Sequence, residues 1–142
     1  MRSILRPARS FNVRNIAIIG AGPSGLAAAK YLLAEKAFER VDIFEQQPEV
    51  GGVWFYNSGV TGCISVPQIT PHGAPERPIW PKGAPAPLFS NPMYDNLNTN
   101  IPKGLMQFSD QDFPSQSLLF PTREDVQEYI LKYSQDVRSL SK

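Results

Sequence analysis

The residues best suited to chemistry are three glycines and one acid near the start of the chain. Gly20, Gly22 and Gly25 form a G-x-G-x-x-G pattern, and Glu45 lies twenty positions beyond the last glycine. In a dinucleotide site the first glycine permits a tight turn, the second admits a pyrophosphate, and the third lets helix and strand pack closely. An acid at Glu45 suits the hydroxyls of an adenosine ribose and repels a 2′-phosphate. The pattern therefore predicts a site for the ADP part of FAD or NAD rather than of NADP.

Two further residues of the pattern suit the start of a helix. Pro23 can occupy a first helical turn, where its fixed φ is tolerated and its missing N–H costs little. A helix N-terminus offers N–H groups and a positive dipole end to phosphates, and the hydroxyl of Ser24 can add a contact. The alternative is a tight strand-to-helix turn that binds no ligand, with Glu45 as a solvated strand end.

The elements around this pattern form one βαβ unit. Asn15–Ile19 is a short apolar run rich in β-branched residues, which is typical of a buried parallel strand. Good helix formers over residues 26–38 predict a helix, and residues 41–45 predict a second strand. A right-handed crossover makes the two strands parallel neighbours. The predicted fold class is α/β, with a Rossmann-like βαβ dinucleotide-binding unit.

The rest of the chain predicts only one further regular element. Eight prolines fall within residues 67–92 and predict an irregular segment over about 65–95. A helix is predicted over about 122–138, where Thr122 can cap and Asp125 is placed as its capping-box partner. Its apolar face is predicted to consist of Val126, Tyr129, Ile130, Tyr133 and Val137. We expect residues 1–13 to form a basic flexible leader and residues 14–142 a partial FAD-binding domain.

Composition limits the other classes of function. A net charge of +1 favours neither nucleic acid nor an anionic membrane as a partner. The single cysteine, Cys63, excludes an internal disulfide, and its pairing with His72 as nucleophile and base is disfavoured because no third orienting group is near. No metal site is expected. No apolar run is long enough to span a bilayer, so we expect a cytoplasmic protein, with an ER-associated surface as the alternative and mitochondria less favoured.

A second glycine pair follows the ribose-binding acid. Gly51 and Gly52 precede Val53 and Trp54, which suggests that backbone passes close to a second bulky part of the ligand. The alternative is a glycine turn that places Trp54 in the core.

These motifs together resemble the start of a flavin-containing monooxygenase, especially of the fungal type. The similarity begins with I-A-I-I-G-A-G-P-S-G-L, F-E and G-G-V-W, and continues through L-N-T-N-I-P at 97–102 to F-P at 120–121. It covers roughly residues 14 to 138. The glycine fingerprint is common among flavoproteins, whereas its combination with G-G-V-W and L-x-T-N-I-P is much more selective.

The resemblance implies a role for each matching position. The fingerprint, made of Gly20, Ala21, Gly22, Pro23, Ser24 and Gly25, would hold the FAD pyrophosphate, and Glu45 the adenosine ribose. Gly52, Val53 and Trp54 would line the flavin side. Asn100, next to Thr99, would reach the flavin ring and the oxygen-activating pocket, and is the catalytic candidate; by itself it is more typical of a turn. In the family a flavin hydroperoxide passes one oxygen atom to a soft nitrogen or sulfur of a small molecule, and the flavin supplies the chemistry.

The chain also departs from the family pattern. Members are several times longer and carry a second glycine fingerprint for NADPH, which nothing after Gly25 repeats. We therefore expect an incomplete FAD/NAD(P)-binding domain that corresponds to the N-terminal portion of an FAD- and NADPH-dependent monooxygenase, with the remainder of the enzyme as a partner. The alternatives are a truncated, catalytically inactive nucleotide-binding fragment and another FAD-dependent oxidoreductase, although Cys63 alone argues against a disulfide reductase.

Overall fold

The structure is a computed structural model that describes residues 12–57, 78–80, 82–83, 85, 87–89 and 91–140. Most of the basic leader, much of the proline-rich segment, Cys63 and His72 lie outside the described residues, so the predictions made for them remain predictions. The elements in chain order are β1 (Asn15–Ile19), α1 (Pro23–Ala34), β2 (Arg40–Phe44), a single 3-10 turn (Gly52–Trp54), α2 (Lys103–Met106) and α3 (Arg123–Leu140).

The two strands form a parallel pair, as the sequence predicts. The register runs from Asn15 opposite Arg40 to Ile19 opposite Phe44. β1 has the predicted bounds, whereas β2 begins and ends one residue earlier than predicted. The pairing continues just beyond β1, where the amide of Gly20 donates to the carbonyl oxygen of Phe44 at 2.7 Å. Glu45 therefore leaves the strand as the first residue of the following turn.

The helix predicted over residues 26–38 lies at Pro23–Ala34 in the structure. The predicted bounds were wrong, because the helix starts three residues earlier and ends four residues earlier. Pro23 begins it, and the amide of Leu26 already donates to the carbonyl oxygen of Gly22 at 3.0 Å. It ends at Ala34 because Lys36 adopts a left-handed conformation with φ of +51°, which continues no right-handed helix. Pro23, Ser24 and Gly25 therefore form the first helical turn.

The core lies where α1 and α3 pack on one face of the strand pair. Leu26 and Ala29 of α1 meet α3 there, and Ile18 and Ile43 of the sheet pack against them. The five apolar residues predicted for α3 are all buried, which confirms the helical spacing: Val126, Tyr129, Ile130, Tyr133 and Val137.

Helix α3 spans Arg123–Leu140 and begins with the predicted capping box. The amide of Asp125 donates to Thr122 Oγ1 at 3.2 Å, and the amide of Thr122 donates to Asp125 Oδ2 at 3.0 Å. Each side chain thus satisfies a backbone donor of the other residue at the helix start. The start of α3 is fixed by contacts within four residues.

The opposite face of the strand pair is open within the described part of the chain. Ile19 is 83% exposed and Phe44, its partner in register, is 55% exposed. In the described residues of the proline-rich segment, Ile79 and Leu88 form an isolated antiparallel bridge. No helix in the described ranges is both long and apolar enough to cross a membrane.

Candidate functional site

The glycine fingerprint makes the turn from β1 into α1. Gly20 leaves the strand with φ of +97°, a conformation that favours glycine. A methyl group built on Gly25 would overlap the carbonyl oxygen of Gly20, so the first helical turn packs directly on the turn that precedes it. By helix geometry the amides of Ser24 and Gly25 have no intrahelical acceptor, and they are available to an anion.

A cavity of about 390 Å³ opens beside this turn, where both strands end. This is the edge at which open α/β sheets bind ligands. Its wall combines fingerprint backbone, the residues that end β2, and two later segments of chain: Ile19, Gly20, Gly22, Phe44, Glu45, Gln46, Gln47, Gly52, Val53, Asn91 and Pro92. The volume is within the range of small-molecule sites.

The Glu45 carboxylate joins the end of β2 to the fingerprint. Its Oε2 accepts a hydrogen bond from the amide of Ala21 at 2.6 Å, and its Oε1 accepts one from the amide of Gln47 at 2.9 Å. Each carboxylate oxygen has two acceptor positions, so both keep capacity for a further donor. The carboxylate can therefore accept hydrogen bonds from the amides of Ala21 and Gln47 and, at the same time, from ribose hydroxyls.

The second glycine pair packs on the fingerprint. A Cβ built on Gly52 would lie 3.0 Å from Gly22 Cα, which is tighter than most real contacts of a Cβ atom. The amide of Gly51 donates to the carbonyl oxygen of Ala21 at 3.0 Å. Both Gly51 and Gly52 have positive φ, at +131° and +59°. Glycine at position 52 permits this close approach of two backbone segments, a relation that the sequence motif did not reveal.

Val53 and Trp54, adjacent in sequence, face different surroundings. Val53 is 51% exposed and lies in the wall of the cavity beside the fingerprint. Trp54 is half-buried and packs against the hydrophobic core, where it lines a separate cavity of about 180 Å³ with Pro23. In this structure Val53 is at the cavity and Trp54 is on the core side of the same turn.

Thr99 and Asn100 lie near the start of α3. The amide of Thr99 donates to the carbonyl oxygen of Pro121 at 3.0 Å, and Thr99 Oγ1 donates to the carbonyl oxygen of Ile101 at 3.0 Å. Thr99 is buried and Asn100 is exposed. Neither belongs to the described wall of the cavity at the fingerprint. The role of Asn100 therefore stays a prediction.

Two amide side chains that the sequence analysis missed complete the cavity wall. Gln47 pairs with the backbone of Phe89, donating from Nε2 at 3.3 Å and accepting at Oε1 at 3.5 Å. Asn91 donates from Nδ2 to the carbonyl oxygen of Phe55 and accepts from the amide of Met93 at 2.9 Å. Asn91 before Pro92 is a turn signal that could have been read from sequence, whereas nothing local marks Gln47.

Within the described ranges, no three His, Cys, Asp or Glu side chains are grouped so that they could hold a metal ion.

Comparison with known proteins gives a consistent set of similarities. A family model described as an NAD(P)-binding Rossmann-like domain matches residues 18–68. The thiol-specific monooxygenase of Saccharomyces cerevisiae is 33% identical over 84% of this chain and 22% of its own length. The putative flavin-containing monooxygenase FMO GS-OX-like 11 of Arabidopsis thaliana is 31% identical, over 96% of this chain and 74% of its own length.

Solved structures agree with these relatives. The S-allyl-L-cysteine S-oxygenase from Allium sativum superposes with a TM-score of 0.64 and 25% identity, covering 91% of this chain and 27% of that protein. The chain spans about a quarter of the length of the first relatives it matches. The range of the family model contains the fingerprint and the acid after β2.

Proposed function

This chain belongs to the flavin-containing monooxygenase family, and on that premise we propose that it forms the FAD-binding N-terminal portion of such an enzyme. The observation that carries the proposal is the cavity at the ends of β1 and β2, which is lined by fingerprint backbone and by Glu45. Family membership supports the use of a flavin and of a nicotinamide dinucleotide in general; the assignment of FAD to this cavity is part of the proposal.

The residues present fit the ADP part of FAD. The amides of the first α1 turn and the positive end of its dipole suit a pyrophosphate beside Gly22. Glu45 retains acceptor positions for the ribose hydroxyls after bracing Ala21 and Gln47. A negative charge at that point disfavours a 2′-phosphate, which supports FAD here and NADPH at a site outside these residues.

The flavin end of the cofactor would extend along the second glycine pair. Val53 lies in the cavity wall and is the residue that we expect to contact it, with Gly52 beside it. Trp54 would not contact the cofactor and would instead hold this turn against the hydrophobic core. When bound, FAD would supply the redox chemistry, in which two electrons from NADPH allow one atom of O2 to pass to a small-molecule substrate and the other to leave as water.

The proposed substrates carry a soft nitrogen or sulfur. Two similar proteins have names that specify sulfur chemistry, a thiol-specific monooxygenase and an S-allyl-L-cysteine S-oxygenase. Those names favour a sulfur acceptor over a nitrogen acceptor. We assign Asn100 to the oxygen-activating pocket on the family resemblance, and Thr99, buried next to it, would hold it in place.

A second function applies to these 142 residues acting alone. The open sheet face at Ile19 and Phe44 leaves apolar surface exposed, and no second glycine fingerprint follows Gly25 in the sequence. We expect these residues by themselves to bind FAD without turning over NADPH.

We also expect a cytoplasmic location, with an ER-associated surface as the alternative. Microscopy of a tagged protein tests this expectation.

The deciding experiment is a titration of the purified chain with FAD and then with NADPH, followed by the visible flavin spectrum. We expect FAD to bind with a shifted, resolved flavin spectrum that NADPH does not bleach. Bleaching by NADPH would mean that the chain contains a nicotinamide site and would overturn the non-catalytic expectation. A chain that is folded by circular dichroism and binds no FAD would overturn the proposed cofactor site.

A further inference from the structure

One peptide unit of the second glycine pair is hydrogen-bonded on both of its sides. The carbonyl oxygen of Val50 accepts a hydrogen bond from Gln127 Nε2 at 2.8 Å. The N–H of the same peptide, on Gly51, donates to the carbonyl oxygen of Ala21 at 3.0 Å. This peptide therefore joins a side chain of α3 to the second residue of the fingerprint.

The fit between Gln127 and this peptide depends on the absence of a side chain at Gly51. A Cβ built on Gly51 would overlap Gln127 Oε1 and lie 2.9 Å from Nε2. The amide group thus occupies the space that any other residue at position 51 would fill. Gly51 is buried and the hydrogen bond from Gln127 is part-buried, so water competes for it less than for a surface contact.

The hydrogen bonds continue from this peptide to the acid of the cavity. Ala21, whose carbonyl accepts from Gly51, donates its own amide to Glu45 Oε2 at 2.6 Å. The series runs from Gln127 through the 50–51 peptide and Ala21 to Glu45. The 50–51 peptide accepts and donates at once, so its two hydrogen bonds strengthen each other. The carbonyl and the N–H of Ala21 belong to adjacent peptide units, so at this residue the connection to Glu45 is through the position of the backbone.

Helix α3 is a firm support for Gln127. Its neighbours Val126 and Ile130 are fully buried in the core, and the capping box at Thr122 fixes where the helix begins. One turn earlier, the Arg123 guanidinium lies 4.3 Å from the centre of the Tyr56 ring. The first two turns of α3 therefore hold the 50–56 segment at both of its ends.

We propose that Gln127 is a positioning residue for the dinucleotide site, acting through the 50–51 peptide on the fingerprint and on Glu45. The inference rests on the proposed function, because it assigns to Gln127 the placement of the groups that would hold the ADP part of FAD. Gln127 is absent from the described wall of the cavity, so its effect is transmitted by backbone rather than by contact with the cofactor. Binding groups that are already in place lose less entropy when ligand arrives.

The test compares two methionine variants of the full chain. Gln127→Met keeps the length of the side chain and removes its donor, whereas Gln135→Met makes the same change at an exposed position of the same helix. Dissociation constants are measured for FAD and for ADP. We expect Gln127→Met to weaken the binding of both ligands by a similar factor of about three to ten, as the loss of one part-buried hydrogen bond implies. Gln135→Met should leave both values unchanged.

Amide hydrogen exchange without ligand separates a local role from general destabilisation. In Gln127→Met the Gly51 and Ala21 amides should exchange faster, while the amides of β1 and β2 should exchange as in the parent chain. The inference would be overturned if exchange became faster throughout the sheet, or if the exchange rate of the Gly51 amide did not change. If Gln127→Met does not fold, Gln127→Glu is the second variant, because it removes the Nε2 donor and retains the shape of the side chain. The same dissociation constants and exchange rates then test the inference.

The failures of the two proposals differ. A parent chain that binds FAD while Gln127→Met binds it equally well overturns the positioning role alone. A parent chain that binds neither FAD nor ADP, in which exchange of the Gly51 amide still depends on Gln127, overturns the proposed function and leaves the hydrogen bond of Gln127 as a structural contact alone.

Discussion

Gly52 lies against Gly22, so closely that a side chain at position 52 would be crowded. A Cβ on Gly52 would stand 3.0 Å from Gly22 Cα, and one on Gly22 would stand 3.5 Å from Gly52 Cα. Two glycine motifs thirty positions apart in the sequence thus form one backbone surface beside the cavity. A cofactor held by the first motif would also meet the second.

Gly52→Ala should lower FAD affinity by at least tenfold. The new methyl group would push the turn slightly away from Gly22, and alanine at φ of +59° adds a strain of about 1–2 kcal/mol. Gly83→Ala is the control for strain alone, because Gly83 has φ of +80° and open space around it. Titration with FAD measures both variants. Equal losses of FAD affinity in the two variants would mean that the contact of position 52 with Gly22 does not contribute to FAD binding.

Gly25→Ala should destabilise the fold strongly, although alanine favours a helix over glycine by about 1 kcal/mol. The methyl group would overlap the carbonyl oxygen of Gly20 and force α1 away from β1. Urea unfolding should show a loss of at least about 2 kcal/mol. Gly104→Ala, in α2 with nothing near the added methyl group, should be neutral or slightly stabilising. A stabilised Gly25→Ala variant would contradict the observed packing.

Glu45→Ala should weaken both the fold and the binding of FAD. The change removes two acceptors of backbone N–H groups, each a charge-assisted bond of about 1.5–3 kcal/mol. Because Glu45 is only half-buried, water can replace part of these two hydrogen bonds in the variant, and we expect a loss of stability of about 1–2 kcal/mol. Glu35→Ala, at an exposed acid after α1, serves as control. Unfolding curves and FAD titrations that match those of the control would remove Glu45 from the site.

Alkaline pH should unfold the chain partly through Tyr133. Its burial in the core, followed by the negative charge of Asp110, raises the pKa of Tyr133 from 10.0 to about 12. The folded state therefore retains the proton where the unfolded state has lost it, and this contribution to stability is complete below pH 10 and is lost as pH rises from about 10 to 12. Tyr133→Phe should flatten the fall in stability over that window, measured by urea unfolding at several pH values. Tyr94→Phe, at an exposed ring, should leave the fall unchanged.

The sequence by itself determined the elements whose signals are local. The spacing of Gly20, Gly22 and Gly25 between two β-branched runs predicted the parallel βαβ unit, because each glycine answers a constraint from its immediate neighbours. The capping box of Thr122 and Asp125 and the buried face of α3 were predicted for the same reason, since both follow from contacts within one or two helical turns. Even so, α1 was placed three residues late, because Pro23 admits helix from the first turn onward.

Tertiary structure decided how the distant motifs meet. Gln127 and Val50 are 77 positions apart, and no local pattern relates a glutamine on a helix to a carbonyl group in a glycine turn. Packing of α3 on α1 brings them together, and the same packing draws Trp54 toward the core while Val53 remains at the cavity. The composition of the fingerprint was therefore visible in the sequence, whereas its support by Gly52 and Gln127 depends on long-range burial that only the folded chain defines.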